Sequence, residues 1–365
     1  MIHQLKKLTV QMLTGGNVAT IAVMLAAGYS DRLHPVDHPL FSTLGMTLPF
    51  FLVANLLFLV FWLIFKWTRA WIPIVGFALA YVPISIYMPL HTRQAVPEEA
   101  IKVISYNVCC YQSPASQSST FDDVTDFLHK EQADIVCIQE DNDAARNLVH
   151  RKYANHFAYN DTAILCNNSF AFNCLGIHTR YPILRKERID YPTAVNNGSV
   201  AWWLQVNGDT LIVINNHFES CHLNEEDRLQ YQQMLKGNLS SDSVRLESQL
   251  LMVKLAEANA KRAVQIDRIC EYAEEHLQYP LIVCGDFNDN PISYSRHAFS
   301  KFLDDSFTST GRGLGLSYNR KGFYFRIDHL FCSKNLQPYN CKIDGNITLS
   351  DHYPLVCWIK MPSKQ

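Results

Sequence analysis

Acidic residues are nearly missing from the first quarter of this chain. Before Gln94 the only ones are Asp31 and Asp37, and the only Lys or Arg residues are Lys6, Lys7, Arg32, Lys66, Arg69 and Arg93. Residues 8–30, 40–65 and 70–90 contain no Asp, Glu, Lys, Arg or His at all. At about 1.5 Å rise per residue, each run is long enough as a helix to cross a hydrocarbon layer of about 30 Å. Three such runs ahead of any charged domain argue against core helices of a water-soluble fold. Residues 40–65 are almost wholly apolar, with Phe50-Phe51-Leu52-Val53 and then Leu56 through Phe65. Residues 70–90 carry Pro73, Pro83 and Pro89, which a membrane helix tolerates at the cost of a kink. Residues 8–30 are the most polar, with Gln11, Thr14, Gly15, Gly16 and Asn17. No convincing cleavage site follows them and two further spans do, so they read as a span and not as a removable signal. The expectation is a bundle of three transmembrane helices over residues 1–92, integral to an inner or plasma membrane.

Other absences narrow the rest of the chain. Beyond residue 93 there is no basic excess: 26 Lys and Arg face 32 Asp and Glu, so no cationic sheath for sequence-independent nucleic-acid binding is evident. Acids that hold a metal would account for part of that balance. None of the eleven cysteines precedes Cys109 and none forms a C-x-x-C pair, which removes the usual zinc spacing. Cys137, Cys284, Cys332 and Cys357 lie in apolar strand-like runs, where cysteine packs as a small hydrophobe. No internal repeat occurs, and only residues 113–120 are of low complexity. Lys6 and Lys7 precede the first span, while Lys66 and Arg69 sit in the turn between the second and third. The positive-inside rule therefore puts the N-terminus and that turn in the cytoplasm, and everything after His91 outside. An odd number of cysteines leans the other way, since an oxidising compartment would pair most of them; the charge bias is given precedence.

Residues 93–100 read as a tether, and residues 101–360 as one catalytic domain of layered α/β type. Strands are expected over 101–108 and 134–139 with a helix over 121–130 between them. A hairpin over 200–206 and 210–215 turns at Asn207-Gly208-Asp209. Helices follow over 223–235 and 244–277, then a strand ending at Val283, a β-type run over 323–331 and a closing strand from Leu355.

Six polar clusters sit where those strands end: Ser105-Tyr106-Asn107-Val108, Gln139-Glu140, Asn215-Asn216-His217-Phe218, Gly285-Asp286-Phe287-Asn288, Arg326-Ile327-Asp328-His329 and Ser350-Asp351-His352. Each has an ordinary explanation alone. Asn107 or Asn288 suits a turn, Glu140 suits a helix start, and His217 suits a hydrogen-bonded core. Asp328 in an apolar run is harder to dismiss, because a buried carboxylate needs a partner. Strand ends on one edge of a sheet converge, so the set can meet on one surface. Acids, an amide and imidazoles gathered there suit a hard cation and a phosphate.

In this order the motifs resemble the endonuclease/exonuclease/phosphatase superfamily over roughly residues 101–359. The resemblance implies a four-layer α/β sandwich, two central mixed β-sheets flanked by helices, preceded here by the membrane helices. Asn107 and Glu140 match its first metal-site motifs, His217 its N-x-H motif, Asp286 and Asn288 its G-D-x-N motif, Asp328 its R-x-D motif, and Asp351-His352 its terminal S-D-H. Gly176 through Ile183 is similar to the strand leading into S-R-[FY]-P, with Thr179 replacing the serine. The resemblance further implies Mg²⁺, with Mn²⁺ as a substitute, held by Glu140 with Asp351 and Asn107. His352, oriented by Asp328, would activate water, although the Asp286 carboxylate is an alternative base. Asp286 and Asn288 would place the nucleophile and a phosphate oxygen, and His217 would donate to phosphate or protonate the leaving group.

The N-x-H histidine is more similar to the deoxyribonuclease, sphingomyelinase and phosphatase branches than to the repair-nuclease branch. A membrane tether keeps the site among lipid headgroups. The expected activity is hydrolysis of a phosphate ester in a lipid or lipid-linked substrate, with the bilayer as a partner. The alternative is a surface endo- or exonuclease acting on nucleic acid. A non-catalytic membrane-bound binding module is disfavoured by the intact motifs. Nothing in the chain indicates a protein partner or an oligomeric state.

Overall fold

A computed structural model describes residues 2–113, 115–141, 156–168, 171–192, 197–221, 223, 226–227, 229–230, 233, 241–320 and 323–362. The first apolar run forms helix α1 (Ile2–Gly28). The second opens with a 3₁₀ segment, Phe41–Thr47, and continues as α2 (Leu48–Phe65) with Pro49 in its first turn, where a missing N–H costs nothing. The third is not one helix. It breaks into α3 (Trp71–Leu79) and α4 (Tyr81–Tyr87), bent by 62°. The cause is local: Pro83 has no N–H for the Leu79 carbonyl four residues back, and the Tyr29 hydroxyl donates to that carbonyl instead, at 2.7 Å. Among the described residues two helices are thus long and apolar enough to cross a membrane, or three if the bent pair counts as one span. The polar residues of the first span are used inside the bundle. Asn17 is fully buried, donates to Asn55 Oδ1 at 3.0 Å and accepts from Trp62 Nε1 at 3.0 Å, as buried polar groups must find internal partners.

The remainder builds two sheets. Alternating and wholly apolar runs give β1 (Ile101–Asn107), β2 (Ile135–Gln139), β3 (Tyr159–Asn168), β4 (Ala171–Thr179), β5 (Ile183–Ile189), β6 (Gly198–Val206) and β7 (Asp209–His217). They continue with β8 (Leu281–Asp286), β9 (Leu303–Asp305), β10 (Tyr318–Arg320), β11 (Phe323–Phe325), β12 (Asp328–Ser333), β13 (Gln337–Ile343) and β14 (Leu355–Lys360). Among the described residues the first sheet runs β13-β14-β1-β2-β4-β3 and the second β5-β6-β7-β8-β12-β9, with β10 and β11 a separate hairpin. Each sheet is mixed: β1 is parallel to β2 and antiparallel to β14, and β8 is parallel to β7 and antiparallel to β12. The expected run over 323–331 is divided at Arg326-Ile327, the first half joining the hairpin and the second the sheet.

The inner faces of the two sheets meet through Val103, Cys137 and Ile177 on one side and Trp202, Val213 and Cys284 on the other, all fully buried. Helix α5 (Phe121–Glu131) covers the outer face of the first sheet with Val124, Phe127 and Leu128. Helix α6 (Ser241–Glu275) is a single element of 35 residues, about 50 Å long. Its C-terminal half covers the second sheet with Ile266, Ile269 and Tyr272, beside the short α7 (Tyr294–Ser300). Helix, sheet, sheet, helix is the four-layer sandwich the motifs imply. The helix expected over 223–235 lies largely outside the described residues. All eleven cysteines are free thiols.

The N-terminal helices pack directly on the α/β layers. Ile292 joins the apolar cluster of Met24, Ala27, Leu48 and Ile86. A Cβ on Gly45 would lie 2.0 Å from the Ile292 carbonyl oxygen, so glycine permits this approach. Asn259 donates to Ser42 Oγ at 2.9 Å, and Arg326 donates to the Ile86 carbonyl at 2.6 Å. The segment over 93–100 is itself pinned: the Asn340 side chain accepts from Gln94 N and donates to Gln94 O, both at 2.8 Å.

Candidate active site

Pairing explains why the polar clusters meet. Asp286 ends β8 opposite His217 at the end of parallel β7 and opposite Asp328 at the start of antiparallel β12. Asn107 ends β1, and the antiparallel β14 begins just after Asp351-His352. Glu140, directly after β2, has φ +53, and Asn288, after β8, has φ +51. These left-handed backbones turn the chain immediately as the strands stop, a sparsely populated conformation that clusters at functional sites. Gly285 has φ +135, and a Cβ there would lie 2.0 Å from the Asn216 carbonyl oxygen. Only glycine lets β8 approach β7 so closely.

Two carboxylates converge on one amide. Asn107 Nδ2 donates to Glu140 Oε1 at 3.0 Å and to Asp286 Oδ2 at 3.1 Å, while Asn107 Oδ1 accepts from Cys109 N at 3.0 Å. His217 Nε2 faces the same pair, 3.8 Å from Glu140 Oε1 and 3.7 Å from Asp286 Oδ2. The Asn173 side chain lies against His217 Nδ1, its nitrogen at 3.1 Å and its oxygen at 3.4 Å, which holds the ring with Nε2 facing the acids. Asp286 Oδ1 accepts from Asn288 N at 2.8 Å, and Asn288 Nδ2 donates to the Phe218 carbonyl at 3.0 Å.

His352 bridges two acids. Its Nδ1 is 2.8 Å from Asp328 Oδ2 and its Nε2 is 3.6 Å from Asp286 Oδ2. Burial alone would lower the imidazole pKa; the Asp328 and Asp286 carboxylates outweigh it and hold His352 well above its ordinary value. Burial also raises Asp328, against the lowering influence of His352, so the pair keeps its proton. Ser350 Oγ donates to the Asn107 carbonyl at 2.8 Å, tying the S-D-H turn to the end of β1. The β10–β11 hairpin lies against that turn: Asn319 N donates to the Asp351 carbonyl at 2.8 Å, and Arg320 Nη1 is 3.3 Å from Asp351 Oδ2.

The oxygens suit a divalent cation, which prefers hard donors and few carboxylates. Glu140 and Asp286 oxygens converge within reach of a single neutral donor, and side-chain atoms of Asp286, Asp328 and His352 lie within 4.8 Å of one another. His352 Nδ1 is already engaged by Asp328, so that trio reads first as an oriented imidazole.

A cavity of about 710 Å³ lies over these groups. Glu140, His217, Asp286, Asn288, Asp351 and His352 all border it. One wall comes from the N-terminal region, with Met46, Pro49 and Phe50, and the facing wall from α6, with Leu251, Met252 and Leu255. Among the described residues Arg320 is its one bordering Lys or Arg. The structure thus brings Asn107, Glu140, His217, Asp286, Asn288, Asp328, Asp351 and His352 into one region. The motifs do not indicate Asn173, Arg320 or Tyr318, whose ring stands edge-on to His352 with centroids 5.1 Å apart. No local pattern marks them.

The family model described as "Endonuclease/Exonuclease/phosphatase family" matches residues 104–352. A second model, a domain of unknown function, matches residues 10–87. A search of curated proteins returns no match. Among solved structures, an endonuclease/exonuclease/phosphatase from Beutenbergia cavernae DSM 12333 superposes with a TM-score of 0.54 at 13% identity, covering 73% of this chain and 72% of that one. A Bacteroides vulgatus endonuclease/exonuclease/phosphatase gives 0.51 at 17% identity, over 72% and 99% of the two chains. The human Nocturnin catalytic domain with bound sulfate anion gives 0.50 at 15%, over 74% and 95%. The chain belongs to the endonuclease/exonuclease/phosphatase family, whose members are metal-dependent phosphodiesterases, nucleases and phosphatases.

Proposed function

We propose that this protein is a membrane-anchored, Mg²⁺-dependent phosphoesterase that hydrolyses a phosphate ester in a lipid or lipid-linked substrate on the extracytoplasmic side. The observation that carries the substrate class is the makeup of the cavity. Among the described residues Arg320 is the one Lys or Arg that borders it, and the apolar start of α2 forms a wall. A nucleic-acid strand brings a phosphate at every nucleotide and is bound along a groove of several cations. An apolar wall of Met46, Pro49, Phe50, Leu251, Met252 and Leu255 beside one cation centre suits a single phosphoryl headgroup on an apolar body.

Glu140 and Asp351 would hold the cation, with Asn107 positioned beside them. A bound Mg²⁺ supplies charge neutralisation at the phosphate and at the leaving oxygen. His352, held by Asp328, is placed to take a proton from water once a bound cation offsets the acids that otherwise keep it protonated. Asp286, 3.6 Å from His352 Nε2, is the alternative base. His217 would donate from Nε2 to a phosphate oxygen or the leaving group, and Asn288 would fix the turn that presents Asp286.

The orientation in the membrane has support from the bundle. Lys6, Lys7, Lys66 and Arg69 lie toward the end opposite the one that meets the catalytic layers through Gly45, Ile86 and Ile292. The test is a substrate panel on the full-length protein in detergent, with and without chelator. Mg²⁺-dependent release of phosphate or headgroup from lipid phosphates, with plasmid and oligonucleotide left intact, is expected. Cleavage of nucleic acid with lipid phosphates untouched would instead make this a surface nuclease.

A further inference from the structure

We infer that the N-terminal helices are part of the substrate site: an apolar chain of the substrate lies between the start of α2 and the front half of α6. The inference rests on the phosphoesterase reading and adds where the rest of the substrate goes. Met46, Pro49 and Phe50 on one side and Leu251, Met252 and Leu255 on the other border the same cavity as Glu140, Asp286 and His352. The apolar walls and the polar floor are therefore one continuous space, of a volume typical for small-molecule sites.

The occupant follows from three features. The floor offers acids for a cation and, from Arg320, a guanidinium, so the bound headgroup is a phosphate. The walls are aliphatic and aromatic, so what extends from that phosphate is hydrocarbon. Phe50 is 61% exposed, Met252 41% and Leu250 50%, an apolar surface left open where the chain meets the membrane end of α2. A substrate whose tail resides in the bilayer can reach this opening without leaving the membrane. The packing of Gly45 on Ile292 and of Asn259 on Ser42 fixes the wall against the catalytic layers, so the anchor supplies part of the pocket as well as attachment.

The experiment uses the full-length protein in nanodiscs with Mg²⁺. Hydrolysis of 4-nitrophenyl dodecyl phosphate is compared with that of 4-nitrophenyl ethyl phosphate. Each buried methylene contributes up to about fourfold, so the dodecyl-to-ethyl ratio of kcat/KM should exceed about one hundred in the native protein. Met252→Asp and Phe50→Asp alter exposed side chains, which limits any effect on folding, and each should lower that ratio at least tenfold. Partition into the nanodisc is the same for every variant. A ratio near one in the native protein, or a high ratio that neither substitution moves, overturns the inference and leaves the phosphoesterase reading standing. Failure to hydrolyse any phosphate ester overturns that reading. In that case binding of dodecylphosphonate against ethylphosphonate still decides the groove: dodecylphosphonate should bind at least tenfold more tightly to the native protein than to Met252→Asp, and equal binding overturns it.

Discussion

His352 Nδ1 lies 2.8 Å from Asp328 Oδ2, and both side chains are buried. The carboxylate starts one strand and the imidazole precedes another in the facing sheet, so the contact ties the two sheets together at the site. Removing the partner of a buried charge is costly in itself, which makes isosteric changes the informative ones. Asp328→Asn keeps a hydrogen-bonding group but removes the charge that favours the imidazolium. Hydrolysis in Asp328→Asn and His352→Gln should fall by about 10²–10⁴, the contribution usual for a positioned acid–base group. A loss below tenfold in both, measured as kcat on a short phosphate ester, would remove His352 from the proton transfer and leave Asp286 as the base.

Glu140 and Asp286 share the Asn107 amide, an arrangement in which two carboxylates repel unless something positive lies near. Mg²⁺ should therefore stabilise the folded protein, by about 2.7 kcal/mol at one hundred times its dissociation constant. Glu140→Gln should abolish that gain while the protein stays folded, and a chelator should remove the gain from the native protein. An unchanged Mg²⁺-induced shift in Glu140→Gln would move the cation away from this pair.

Much of this site is legible in the sequence because chemistry and fold disagree there. Asp286 directly after Leu281-Ile282-Val283, and Asp328 inside an apolar run, are residues a core would exclude, so their presence signals a use. The paired sheets are legible for the complementary reason, since β1, β2, β8 and β14 are apolar on both faces. Arg320 is not legible: an arginine in a short hairpin is ordinary, and only the fold of that hairpin over the S-D-H turn brings it to Asp351. The docking of the apolar N-terminal helices is equally hidden. It depends on Gly45 and Asn259, residue types that carry no local sign of a distant partner. The break of the third span is half legible, since Pro83 predicts a kink but not its 62° size or the Tyr29 hydroxyl that completes it.

Gly285 tests the close approach of β7 and β8. Gly285→Ala sets a methyl group against backbone rather than a flexible side chain, and does so at a φ that alanine disfavours. The loss should be at least about 2–3 kcal/mol, with hydrolysis reduced as Asp286 shifts. Thermal unfolding of the full-length protein in detergent measures it. A variant as stable as the native chain would mean that the strands separate without cost.

His329, fully buried beside Phe287 and Phe331, should make stability fall in mild acid. Burial pushes its pKa down to about 4, from an unfolded value of about 6.5. A depressed pKa gives stability that is complete above the unfolded value and is lost as pH falls toward the folded one. Between roughly pH 6.5 and 4 the unfolded chain binds a proton that the native protein refuses, at a cost of up to about 3 kcal/mol. Unfolding temperatures recorded between pH 7 and 5 should decline, and His329→Phe should reduce the slope by about one proton. An identical slope in the variant would assign the acid sensitivity elsewhere.

The proposed orientation rests on four cations, Lys6, Lys7, Lys66 and Arg69, against the absence of any disulfide among the eleven cysteines. The two signals conflict, and they predict opposite outcomes in sealed vesicles. If the charge bias decides, added protease should digest the domain beyond residue 93 in right-side-out vesicles and spare it in inside-out ones. A protease tag preceding Met1 should behave in the reverse way. Replacing all four cations by Gln should then randomise or invert the pattern, because nothing else in the short loops supplies the bias. Protection of the domain in right-side-out vesicles would put the site in the cytoplasm. The free thiols would then need no special explanation, and the lipid phosphate would be drawn from the inner leaflet.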